Sequence, residues 1–245
     1  MLLIALFIAL MMSNVPEVLA QREQVHGIVN VHVLYRGTIP PPTEVKVTRD
    51  PETCGTTIPV QPLTVRSPSG ELKDAVVMIE GIHAPGKEST RTSPPMVLSN
   101  SKCSFSPHVM PLQTGSTLEI HNLDPVMHNT HITYEIRTFI NVAMVVNGRP
   151  VAKRVANPGL YRVQCDVHKF MEGYVLASEH PYFGVTDERG GARILDVPAG
   201  EHDISVWHER LGQLQTHVTV PPNGEATATF EFHEDGTGHG RRMNK

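Results

Sequence analysis

Three residues stand closest to doing chemistry together: Cys165, His168 and Met171, in the run Cys165-Asp166-Val167-His168-Lys169-Phe170-Met171. A thiol, an imidazole and a thioether recur there with two residues between each. Soft sulfur joined to imidazole favours copper, and two histidines with one cysteine and a weak axial methionine form an electron-transfer geometry for that metal. The run supplies one histidine. His128, in Asp124-Pro125-Val126-Met127-His128-Asn129-Thr130-His131, supplies the other. Asn129 is expected to fasten the two ligand segments by hydrogen bonds, including a donor to the sulfur, and such bonds tune a metal's potential. The implied cofactor is one mononuclear copper ion.

Each residue has a plainer reading. Cys165 and Met171 could be core residues, with His168 at the surface. Zinc accepts Cys and His but rarely recruits a thioether. Glu172 adjoins Met171 and is a possible axial substitute, which would give a red-copper-like site.

The elements that must position this set read as strands. Thr117-Leu118-Glu119-Ile120-His121-Asn122 alternates with period two just before His128, and Gly159 to Cys165 alternates up to the thiol itself. A turn after the second strand can fold three side chains around one point, which an extended strand cannot do. Val25–Val31, Glu44–Thr48 and Ala75–Ile79 are further short β-branched runs, bounded by Pro, Gly and Ser clusters. No window outside the first residues holds a helical period. The fold class expected is all-β, with the segment from His83 to Asn100 as an exposed loop.

The chain resembles the cupredoxins, the plastocyanin, amicyanin and azurin group of blue copper proteins. Asp124, His128-Asn129, Gly159-x-Tyr161-x-x-x-Cys165, His168, Met171 and Gly173 carry the resemblance, and the short Cys-x-x-His-x-x-Met loop is most like amicyanin. It covers roughly residues 104–178, while 21–103 match only as generic strands. The resemblance implies a Greek-key β-sandwich, with His128, Cys165 and His168 as equatorial ligands and Met171 as the axial one. It implies a one-electron carrier whose partner is a redox protein such as a cytochrome or dehydrogenase. Electrons would pass through an exposed edge of His168, amid apolar contacts from Val167 and Phe170.

A second, small β-sandwich is expected after about residue 178. Five short strand signals run from Tyr182 to Phe232 with turn residues between them. The segment resembles the carboxypeptidase regulatory-like, transthyretin-like module through Val185-Thr186-Asp187-x-x-Gly190, Leu195-Asp196-Val197-Pro198-Ala199-Gly200 and Ile204-Ser205-Val206-Trp207. A unit of roughly 60 residues is small for an independent core and should lean on the rest of the chain. The organisation expected is a signal peptide at 1–20, a copper domain at 21–178, the second sandwich at 179–233 and a flexible tail at 234–245.

Compartment follows from the ends and the cysteines. An apolar run from Met1 to Met12 leads to Val18-Leu19-Ala20, which suits signal-peptidase cleavage after Ala20, although no basic residue precedes the run. The expected location is periplasmic or secreted, with no membrane span in the mature chain. A net charge of −4 without clustered Lys or Arg excludes a nucleic-acid footprint. Of three cysteines, Cys54 and Cys103 sit in turn-like settings and are expected to pair, leaving Cys165 as the ligand.

His108, His131 and His208 with Glu209 are candidates for a second metal site, against a plainer reading as solvated side chains. His128 and His131 should face opposite sides of a continuing strand. The multicopper oxidases require paired His-x-His motifs, which do not occur here. No catalytic set emerges. The rival to electron carriage is copper binding or delivery without redox duty.

Overall fold

The computed structural model describes residues 25–83, 93–235 and 237–243, the side chains of 241–243 excepted. The expected signal peptide at 1–20 lies outside them. The molecule is all-β, its single α-helical element being the four-residue turn Pro51–Cys54 among the described residues. No helix of the described residues is long and apolar enough to cross a membrane.

Alternating burial shapes the strands into two cores. The first core is enclosed by two sheets. One runs Arg137–Met144, His128–Tyr134, Gly159–Gln164, Glu172–Ser178 and Val109–Gln113; the other runs Val151–Arg154, Thr117–Asn122, Met96–Ser101 and Ser104–Ser106. Leu98, Leu112, Leu118, Ile120, Ile132, Tyr161, Val163 and Val175 fill the space between. Burying each such side chain stabilises the fold by about 1.5–3 kcal/mol.

The second core draws on both ends of the chain. His26–Arg36 lies parallel to Glu225–His233 over nine paired residues, and antiparallel to Gly191–Pro198. Val76–Glu80 pairs with Phe183–Val185 and Gly200–His208 in the facing sheet. Val29, Val31, Val33, Leu72, Val77 and Ile79 thereby share one core with Ile194, Ile204, Phe230 and Phe232. The expected boundary at 178 therefore separates strands that pack together. The physical reason is the one that makes the later segment small: too few apolar side chains to close a core alone.

Two further departures concern short segments. Gly238–Met243, inside the expected flexible tail, forms an edge strand against Glu225–His233. Thr43–Lys46 and Thr57–Val60 pair as a separate ribbon, and the Pro51–Cys54 turn between them packs over the end of the first sandwich.

Candidate metal centre

His128 opens the strand His128–Tyr134, and Cys165 directly follows the strand Gly159–Gln164. These strands are neighbours, with His131 opposite Gln164, so the two residues meet at one end of the sheet. The chain then turns: His168 N–H donates to the Cys165 sulfur at 3.3 Å, and Met171 N–H to the His168 carbonyl at 2.9 Å. Gly173 permits the return, because a Cβ there would lie 3.1 Å from the His108 carbonyl and 3.2 Å from Phe105 Cβ.

Three donor atoms converge in the interior. His128 Nδ1 and His168 Nδ1 are 3.1 Å apart, and the Cys165 sulfur lies 4.0 and 3.8 Å from them. The point equidistant from all three is about 2.1 Å from each, within the range of metal–nitrogen and metal–sulfur bonds. All three residues are buried, at 0, 1 and 1 % exposure.

The proton positions make this convergence chemically pointed. His128 Nε2 donates to Asp124 Oδ2 at 2.8 Å, and His168 Nε2 lies 3.1 Å from Asp50 Oδ2. With its Nε2 proton so engaged, a neutral His128 ring turns a bare Nδ1 lone pair toward His168 and toward sulfur. Burial, against the opposing effect of the hydrogen bond to Asp124, holds His128 below its ordinary pKa, which favours the neutral ring. Carboxylates that fix the tautomer from behind are the usual support of metal-ligating histidines. The donor set fits a copper ion, which a soft thiolate and imidazoles favour.

Met171 is buried in the same core cluster as Cys165. Glu172 turns the other way: its carboxylate accepts Arg162 Nε at 2.7 Å and lies 3.6 Å from Arg210 Nη2. The Glu172 carboxylate thus faces two guanidiniums. Asn129 reaches the sulfur through its backbone. Its backbone N–H, at 3.4 Å, faces the Cys165 sulfur, while its side-chain amide donates to Asn141 Oδ1 at 2.7 Å.

Cys54 and Cys103 are disulfide-bonded, with Cα atoms 5.6 Å apart. Asp124 joins this bond to the site, accepting Lys102 N–H at 2.6 Å and Cys103 N–H at 2.9 Å besides His128. Cys103 is thus no donor to a metal, although it lies near Asp124 and His128.

The expected exposed edge of His168 is absent. The ring is 1 % exposed, covered by Asp50 and by the Cys54 sulfur 3.8 Å from Nε2. Nothing in the sequence near Asp50 marks it as a partner of His168; the contact spans more than a hundred residues and arises from the ribbon that carries it. Beside the covered ring lies a cleft lined by Val45, Val60, Val167 and Phe170, but also by Lys46, Arg49, Arg162, Lys169 and Arg210 against Glu172 alone. The approach is cationic, where the loop residues by themselves suggested an apolar surface.

The remaining histidines do not join this centre. His131 faces outward, 3.4 Å from Asp166. His108 donates to the Glu172 carbonyl at 3.2 Å and to Glu209 at 2.9 Å, joining the two sandwiches. His208 lies 3.6 Å from the other oxygen of Glu209.

No protein-family model matches the chain, and no match was found among curated proteins. Several solved structures are similar over part of its length. A copper-containing nitrite reductase from Thermus scotoductus SA-01 is 22 % identical over 35 % of this chain, with a TM-score of 0.33, and only 23 % of that chain is spanned. A reduced amicyanin variant is 20 % identical over 34 % of this chain and 82 % of its own, with a TM-score of 0.32. A purple cupredoxin from Nitrosopumilus maritimus is 20 % identical over 34 % of this chain and 98 % of its own, with a TM-score of 0.30.

Proposed function

We propose that this chain is an exported mononuclear copper protein of the cupredoxin type, working as a one-electron carrier. One observation carries the reading: two imidazole nitrogens and a thiol converge, in a buried interior, on a point at bonding distance from all three. His128, Cys165 and His168 are the equatorial ligands and Met171 the axial one. Copper supplies a one-electron couple when bound. The protein holds the His128 imidazole in one tautomer through Asp124, sets Asp50 against His168, places two backbone N–H groups on the sulfur, and buries the three donors.

The partner is a redox protein such as a cytochrome or dehydrogenase, met in the periplasm or outside the cell. The second sandwich is a carboxypeptidase regulatory-like accessory module, completed by the strands before residue 81.

The cover over His168 favours one second reading, copper binding or delivery without redox duty. Absorption and spin-resonance spectra of the copper-loaded chain separate the two. An intense visible thiolate-to-Cu(II) band, abolished in Cys165→Ser, is expected of the carrier. A colourless protein that retains only Cu(I) is the outcome for delivery, and a band unchanged in Cys165→Ser would sink the ligand assignment.

A further inference from the structure

The last strand sets Gly238 opposite Phe232, His239 opposite Glu231 and Gly240 opposite Phe230. Side chains alternate across a strand, so the two glycines face inward with the buried phenylalanines, and His239 faces outward with Glu231 and His233. The inward side has no room for more: a Cβ at Gly238 would lie 2.8 Å from Leu214 Cδ1, and one at Gly240 2.7 Å from Thr216 Cβ. At these positions the strand therefore adds no apolar side chain to the core. Its backbone ladder is its principal attachment there, and an edge ladder frays easily.

The outer face offers a stronger attachment. One ligand atom from each of Glu231, His233 and His239 lies within 4.8 Å of the other two. His233 Nε2 is 3.4 Å from Glu231 Oε1, and a tetrahedral ion with bonds of about 2.1 Å spaces its ligands by about 3.4 Å. The two imidazoles stack with centroids 5.8 Å apart and planes at 28°. Glu231 is held from behind: its Oε2 accepts Arg36 Nε at 3.0 Å, and Arg36 Nη1 donates to the Ser69 carbonyl at 2.8 Å. Orienting a ligating carboxylate in this way is a common support of metal sites. His233 and Glu231 are 35 and 25 % exposed, so an ion can enter from solvent.

We propose that Glu231, His233 and His239 bind one zinc-like divalent cation, Zn(II) or Cu(II), which clasps the C-terminal strand to its neighbour. Two imidazoles with one carboxylate suit these ions, whereas calcium and magnesium take oxygen ligands. The clasp stands apart from the Cys165 centre and rests on none of its residues.

Calorimetric titration of Zn(II) into the full-length chain charged with a single equivalent of copper tests it, beside His233→Ala and His239→Ala. The wild type should take up one zinc ion more than either variant, with affinity at that site lost at least tenfold, and the visible spectrum should be the same in all three. Zinc should also slow trypsin cleavage after Arg241 and Arg242 several-fold in the wild type and in neither variant. Equal zinc uptake by the wild type and His239→Ala, or cleavage indifferent to zinc, would overturn the proposal. The comparison between wild type and variant decides it whether or not copper occupies the Cys165 centre.

Discussion

Two carboxylates stand behind His128 and His168. An imidazole presents either nitrogen to a metal, and the hydrogen bond on the far nitrogen settles which. Asp124 accepts the Nε2 proton of His128, so that ring offers Nδ1 to the interior, while Asp50 lies 3.1 Å from Nε2 of His168. Asp124 is the more heavily committed, since it also accepts two N–H groups from the disulfide loop. Asp124→Asn leaves a single acceptor oxygen for three donors, and copper affinity is expected to fall about 10–100-fold, the usual cost of removing such a support. Competition with a copper chelator measures it, and an unchanged affinity would show that the loop alone fixes His128. Cys165-x-x-His168-x-x-Met171 was legible in the sequence, because loop ligands at fixed spacing announce themselves. Asp50 was not, because its contact with His168 depends on how a distant ribbon folds back.

At the scale of elements, the ribbon from Thr43 to Val60 acts as a cover. It reaches the metal centre through the Pro51–Cys54 turn and is tethered by the bond to Cys103. Few of its side chains are buried, so the disulfide contributes much of its anchorage. The paired Cys54→Ser and Cys103→Ser variant is expected to lose about 2–4 kcal/mol of stability, the ordinary effect of opening such a loop. Urea unfolding gives that figure. Hydrogen exchange over residues 47–60 should rise in the same variant, and unchanged protection there would mean that Asp50 and His168 hold the cover without the disulfide.

The whole molecule carries −4, yet the cleft beside His168 gathers five cations around one carboxylate. Lys46 and Arg49 have no carboxylate within ion-pair distance among the described residues. A cleft lined by one sign concentrates ions of the other and raises their on-rates, an effect that salt suppresses. Oxidation of the reduced copper protein by ferricyanide, an anion, should therefore slow as ionic strength rises, and slow further in Lys46→Glu with Arg49→Glu. A cationic cobalt oxidant should show the opposite trend, and identical salt responses would count against the cleft as the route.

Acid stability belongs to the molecule as well. Burial, against the pull of Glu80 and Glu179, holds His180 below its ordinary pKa, and burial does the same for His208 against Glu209. Below about pH 6.5 the unfolded chain binds protons that the folded chain refuses, so stability falls as pH drops through that value toward the lowered folded pKa. His180→Asn keeps an acceptor for the Tyr182 N–H, which His180 Nδ1 now receives at 3.2 Å. The variant should lose less stability than the wild type between about pH 7.5 and about pH 5.5. Equal losses in urea midpoints would place the acid sensitivity elsewhere.

By itself the sequence determined the all-β class, the strand runs on either side of the ligand loop and the types of the candidate ligands. Period-two alternation and fixed loop spacing are local properties, written in consecutive residues. It also marked Cys54 and Cys103 as a pair by their turn settings. Only the tertiary structure decided that His26–Arg36 completes the later sandwich, that Glu172 turns to Arg162 and Arg210, and that Asp50 covers His168. Each of these depends on which distant segments share a sheet edge or a core. Strand pairing is made by backbone groups common to every residue, so the side chains of one segment do not name its partner.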